Sequence, residues 1–141
     1  MQRVIESEIY KDVKKELNYS FGNVYIFSNF VVSEINEGVN FNWDDHGEKI
    51  VEDVTYYLGN DGSEIIYISN RVNDYSVVAT DWLKYFSSSY RLKAYFIISN
   101  SRVGYINSKI EDLFFNNRIK HFISLTEAIH WIDTKLVNTP K

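Results

Sequence analysis

The chain has 141 residues, 45% of them hydrophobic and 16% aromatic, and a formal net charge of −4. That length suits one domain, which at this size buries roughly two-thirds of its unfolded surface without covalent staples. The lack of cysteine excludes disulfides, thiolate catalysis and cysteine-ligated metal, and the acidic balance argues against general nucleic-acid binding, which rests on Lys and Arg neutralising phosphates.

A cysteine-free chain suits a reducing compartment, so a cytoplasmic location is expected. The opening residues, from Met1 to Asp12, carry early acids and no apolar core, unlike a signal peptide. The apolar runs are far shorter than the ~20 residues that span a bilayer, so no transmembrane segment is expected.

In chain order, Ile5, Ile9, Val13 and Leu17 recur at a spacing of four and predict an amphipathic helix, with a strand start at Val4-Ile5 as the other reading. Residues 1–20 then form an N-terminal extension to a domain over 21–137. The runs Val24–Phe27, Phe30–Asn36 and Val39–Trp43 predict two or three antiparallel strands, with a hairpin turn at Glu37-Gly38. Asp45, with Glu48 three residues on, predicts a capped helix to Leu58, its inner face Ile50, Val51, Val54, Tyr57 and Leu58, stopped by Gly59.

Ile65–Ile68 and Ala94–Ile98 are short β-branched or aromatic runs expected to be buried on both faces, as parallel strands are. Between them, Trp82, Leu83, Phe86 and Tyr90 predict a helix starting near Thr80. Ile106, Ile110, Leu113 and Phe114 mark another helical face. A third strand is expected over Ile119–Ile123. Ser124 and Glu127 form a capping box for a last helix with the stripe Leu125, Ala128, Ile129, Ile132 and Leu136. A polar tail, 138–141, holds the only proline, Pro140. The fold class that follows is α/β: a mixed sheet with an N-terminal antiparallel hairpin, then helix–strand repeats whose helices cover the sheet.

In open α/β sheets, sites gather beyond the carboxyl ends of the strands. The segment 69–79 is long for a βα loop, which typically spans ~2–6 residues. It brings donors, acceptors, a guanidinium and a phenol to a strand end. The binding or switch candidates are therefore Asn70, Arg71, Asn73, Asp74, Tyr75, Ser76, Thr80 and Asp81. The alternative for the same residues is turn chemistry, with side chains bonding their own backbone.

No catalytic template is met. His46, His121 and His130 fall near a helix start, inside a strand and on the last helix, and no His pair has metal-ligand spacing. Asp44-Asp45 and Glu111-Asp112 read as caps and helix surface, because adjacent helical residues diverge. Trp43, Trp82 and Trp131 read as core, with the lining of a pocket together with the tyrosines as the alternative. No cofactor or metal is expected.

This order of elements resembles the STAS domain, named for sulphate transporters and anti-sigma factor antagonists. More narrowly, the segments Asn29–Gly38, Tyr67–Ser76, Thr80–Phe86 and Leu113–Phe115 resemble the short SpoIIAA-like proteins of bacteria. The resemblance implies a regulatory, non-enzymatic module that binds a protein partner through residues 69–81. The partner is an unidentified protein or, as a homodimer, a second copy. In STAS regulators a serine of an Asp-Ser-Ser-Gly-like loop is phosphorylated at a helix start. This chain has Asn73-Asp74-Tyr75-Ser76 and Thr80-Asp81 there, so Ser76 and Thr80 are the hydroxyls that could stand in. The aromatic excess raises the other expectation: a carrier that holds a small hydrophobic ligand or lipid between helices and sheet, as the distantly related SEC14-like proteins do.

Overall fold

The computed structural model describes residues 1–116 and 118–137. The tail with Pro140, and the side chain of Leu136 that ends the last stripe, lie outside the described residues. The elements in chain order are β1 (Lys15–Tyr19), β2 (Gly22–Ile26), β3 (Phe30–Ile35), β4 (Asn40–Phe41), α1 (Glu48–Leu58), β5 (Ile66–Asn70), β6 (Ser76–Val77), α2 (Trp82–Phe86), β7 (Ala94–Ile98), α3 (Arg102–Asp112), β8 (Lys120–Phe122) and α4 (Leu125–Val137). No helix among the described residues is long and apolar enough to cross a membrane.

Six strands make one mixed sheet in the order β1-β2-β3-β5-β7-β8. The β1, β2 and β3 strands are antiparallel; β5, β7 and β8 then add in parallel. The α/β class with a mixed sheet is as the sequence predicts. Successive side chains in a strand point to opposite faces, so each strand feeds two cores. One face, with Tyr25, Val32, Ile66, Ile68, Phe96, Ile98 and Phe122, is covered by Leu125, Ala128 and Ile132 of α4. The other carries Val24, Ile26, Val31 and Ile35 under Ile50 and Val54 of α1. It continues as Tyr95 and Ile97 under Trp82 and Phe115.

The expected N-terminal helix is not formed. Two short 3-10 turns, Val4–Glu6 and Glu8–Asp12, lead into β1. Pairing of β1 along the whole of β2, from Lys15↔Ile26 to Tyr19↔Gly22, satisfies the backbone that the helix would have used. Val4 is fully buried, so residues 1–20 belong to the sheet and its core rather than extending from them.

The hairpin expected at Glu37-Gly38 is also corrected. Gly38 does turn, with φ of 80°, but the released strand β4 pairs in parallel with β6. Both edges of β3 are already taken, by β2 and β5, so β4 cannot fold back onto it. The first helix begins earlier than Asp45 implied. Asn42 caps it, its Oδ1 accepting the Asp45 N–H at 2.8 Å, through a wide turn over Trp43–Gly47. Gly59 ends it in the left-handed conformation (φ 73°), as expected. The helix near Thr80 is a 3-10 turn (Ala79–Asp81) plus the short α2, which stops before Tyr90.

The largest departure is α3. Ile106, Ile110 and Leu113, expected inside, are 52%, 49% and 72% exposed, while Gly104, Ser108, Glu111 and Asp112 are buried. The helix packs polar side inward. The next subsection gives the reason.

Candidate functional site

Alternation along β5 sends Tyr67 and Ser69 to the face under α1–α3, and Ile68 and Asn70 to the face under α4. Arg71 follows the strand end and turns back under the first of these faces. Its Nε donates to Ser69 Oγ (3.1 Å) and its Nη2 donates to Tyr95 Oη (3.0 Å) and Glu111 Oε2 (2.5 Å). Tyr95 Oη and Trp82 Nε1 both donate to the other Glu111 oxygen, Oε1, at 3.0 and 3.1 Å. Tyr75 lies against the guanidinium, and its Oη bonds Ser69 Oγ at 2.8 Å. A buried charge must be paired, and Glu111 is the partner. It pulls α3 down polar side first.

Asp112 adds to this, accepting the Ile119 N–H ahead of β8 at 3.0 Å. The network thus ties β5, β7, α2 and α3 together beneath the segment 71–82. Burial works against the Arg71 charge, but Tyr75, Tyr95 and Glu111 outweigh it and hold the guanidinium firmly protonated. Burial pushes the Tyr67 and Tyr95 phenols up, so both keep their protons.

Beside the pair lies a cavity of about 50 Å³, walled by Phe41, Trp43, Tyr67, Tyr75, Trp82 and Tyr85 among others. Chemically the arrangement fixes charge and offers no unoccupied base, since both Glu111 oxygens are taken. The histidines stand outside its walls. His46 packs on Phe21 and Phe41, its Nδ1 accepts the Asn42 N–H at 3.0 Å, and burial lowers its pKa.

Of the sequence-derived candidates, the structure brings Arg71, Tyr75 and Asp81 to the wall of one cavity and places the others apart from it. Arg71 and Asn70 are buried, at 7% and 1% exposure. Asn73 donates to the Ile35 carbonyl (3.1 Å), and Asp81 accepts the Trp43 N–H (2.8 Å). Tyr75 is a half-buried cavity wall. Asp74, Ser76 and Thr80 are exposed, with Ser76 Oγ donating to Asn40 Oδ1 at 2.8 Å. Glu111, Tyr95 and Trp82 were not among the candidates. One sequence signal did point to Glu111: Gly104, Ser108 and Glu111 make a small and polar stripe opposite the apolar one.

Asn70 belongs to a second polar cluster, on the α4 face. Its Nδ2 donates to Glu34 Oε2 (2.8 Å) and to the Gln2 carbonyl (3.1 Å), and the Val4 N–H donates to Glu34 Oε2 (2.8 Å). Asn70 Oδ1 is sealed in without a partner. Burial raises the Glu34 carboxyl above its ordinary value, although the Val4 N–H and the Asn70 amide pull the other way. A carboxyl raised on folding binds protons more tightly in the native state. Its contribution is therefore full below the usual carboxylate range and is lost as pH climbs through the raised value. Glu34→Gln keeps an acceptor for Val4 and adds a donor for Asn70 Oδ1. It should raise stability at pH 7 by about 1 kcal/mol and flatten that loss. Urea melts at pH 5 and pH 7 read both effects, and a variant less stable than wild type at pH 7 would overturn the account.

Set beside known proteins, the chain finds no counterpart: no family model matches it, nor does any curated protein or solved structure.

Proposed function

We propose that this chain is a non-catalytic, STAS-like regulatory module that docks another protein on the outward face of α3, rather than through the 69–81 segment itself. The observation that carries the reading is the inverted packing of that helix. Val103, Ile106, Ile110 and Leu113, each about half exposed or more, form a single stripe opposite its buried polar side. Contiguous exposed apolar surface on a folded domain marks an interaction site.

The charge pattern says what kind of partner fits. The two acids of α3 are buried, and its exposed charges, Arg102 and Lys109, are both positive. On a chain of net charge −4 this is a local reversal. A partner helix with an apolar face and acidic flanks is complementary to it. A second copy is disfavoured, because a two-fold contact sets like cations against each other. In the cavity beside the Arg71–Glu111 pair the lipid-carrier reading finds less support, since about 50 Å³ is well below the ~150 Å³ that accepts benzene.

The test is Ile106→Glu with Ile110→Glu. Both sites are exposed, so the urea midpoint should move by less than about 0.5 kcal/mol in stability. Recovery of the protein partner on affinity-tagged chain should fall about 100-fold, as expected when two buried apolar anchors are lost. Equal recovery by wild type and variant sinks the proposal, and so does wild-type binding to anionic lipid vesicles with no protein retained.

A further inference from the structure

A second cleft opens at the other end of the sheet, where β7 begins. It measures about 400 Å³ and is lined by Tyr85, Phe86, Tyr90 to Tyr95, Phe115 and Arg118. That volume lies within the ~300–1,000 Å³ of small-molecule sites. Its charged walls are Arg91, Lys93 and Arg118, with no acid among them. Among the described residues, none of the three is in a salt bridge.

The arginines are not loose. Arg91 Nη1 donates to the Ser88 and Tyr90 carbonyls, at 2.7 Å each, and Arg118 Nε donates to the Phe115 carbonyl at 3.1 Å. Main-chain anchors thus hold each guanidinium in place and leave Arg91 Nε and Nη2, and both Arg118 terminal nitrogens, without an acceptor among the described residues. The carboxylate of Asp61, which Arg91 influences, is engaged elsewhere and accepts the Ser63 N–H at 3.0 Å. The same cleft is lined by the rings of Phe86, Tyr90 and Phe115, of which Phe86 is 43% exposed.

From this we propose that the cleft is a binding site for a planar aromatic anion of about mononucleotide size. Its phosphate or carboxylate would lie across Arg91, Lys93 and Arg118, and its ring would lie on Phe86, Tyr90 or Phe115. Fixed guanidiniums suit planar oxyanions because they present paired N–H donors without reordering. Aromatic walls take a ring by stacking. Neither feature explains the other, and an acidic protein has no folding need to gather cations without ion pairs beside an exposed ring. The site does not depend on the α3 docking face.

Adenosine monophosphate and phenyl phosphate are the probes, followed by amide and side-chain NMR shifts on the full chain. Adenosine, ethylbenzene and inorganic phosphate are the comparisons. Both aryl phosphates should shift Tyr85, Phe86, residues 90–95, Phe115 and Arg118 and leave Trp131 unmoved. Arg91→Gln and Arg118→Gln, on exposed side chains, should each weaken binding about tenfold with an unchanged melting temperature. Three results overturn the proposal: no shift at millimolar probe; inorganic phosphate binding as tightly as the aryl phosphates, which leaves the rings without a role; or adenosine binding as tightly as its monophosphate, which leaves the cations without one.

Discussion

Glu111→Ala should lower the unfolding free energy by about 3–5 kcal/mol, the range seen when one partner of a buried ion pair is removed. The side chains of Arg71 and Glu111 are 5% and 1% exposed, so neither solvent nor another acid can take over the guanidinium. Tyr95 and Trp82 lose their shared acceptor in the same step. The double variant Arg71→Met with Glu111→Leu removes both charges and should recover most of the loss. Urea unfolding of the two variants reads the difference. A single-variant loss below about 1 kcal/mol would mean that the pair is not what holds α3 inverted.

Gly62→Ala is the second large effect, expected at about 3 kcal/mol. Gly62 has φ of 90°, a conformation that costs a non-glycine residue about 1–3 kcal/mol. An added Cβ would also sit 2.4 Å from the Arg91 carbonyl oxygen. That oxygen cannot easily withdraw, because the Arg91 N–H is bonded to the Asp61 carbonyl at 2.8 Å. Gly59→Ala is the internal control. Its φ is 73° but nothing lies within 4 Å of the new methyl, so only the conformational part, about 1–2 kcal/mol, should appear. Equal losses at the two glycines would show that the contact with Arg91 is unimportant.

Much of the fold was legible because burial on both faces leaves a plain mark. Ala94–Ile98 matches β7 residue for residue, and Ser124 caps α4 as its spacing with Glu127 implies, accepting the Glu127 N–H at 3.1 Å. Misreadings arose where periodicity does not say which side is inside. The stripe Ile106, Ile110 and Leu113 is real, yet it faces outward, because a buried guanidinium 40 residues upstream needs Glu111. Such a demand comes from tertiary pairing, and its one local trace is the small and polar stripe of Gly104, Ser108 and Glu111. The N-terminal spacing failed for a similar reason. Ile9 and Val13 pack on the α4 face and Leu17 on the other, so one periodic pattern is shared between two cores. At the site, Arg71 and Tyr75 were singled out as polar groups at a strand end, which was correct in place. The network that Arg71 enters depended on Tyr95 and Trp82, which as aromatics look like any other core residue.

The strand order has a consequence for how the chain is made. Every strand of the main sheet lies beside the strand synthesised just before or after it, apart from the small β4–β6 pair. A chain leaving the ribosome, N-terminal part first, therefore meets each partner already in place and never waits for a distant one. One face is the exception to this orderly growth. Ile66, Ile68, Phe96 and Ile98 receive their cover from α4, the last element. Until residues 125–137 emerge, that face stands open to chaperones and to other nascent chains.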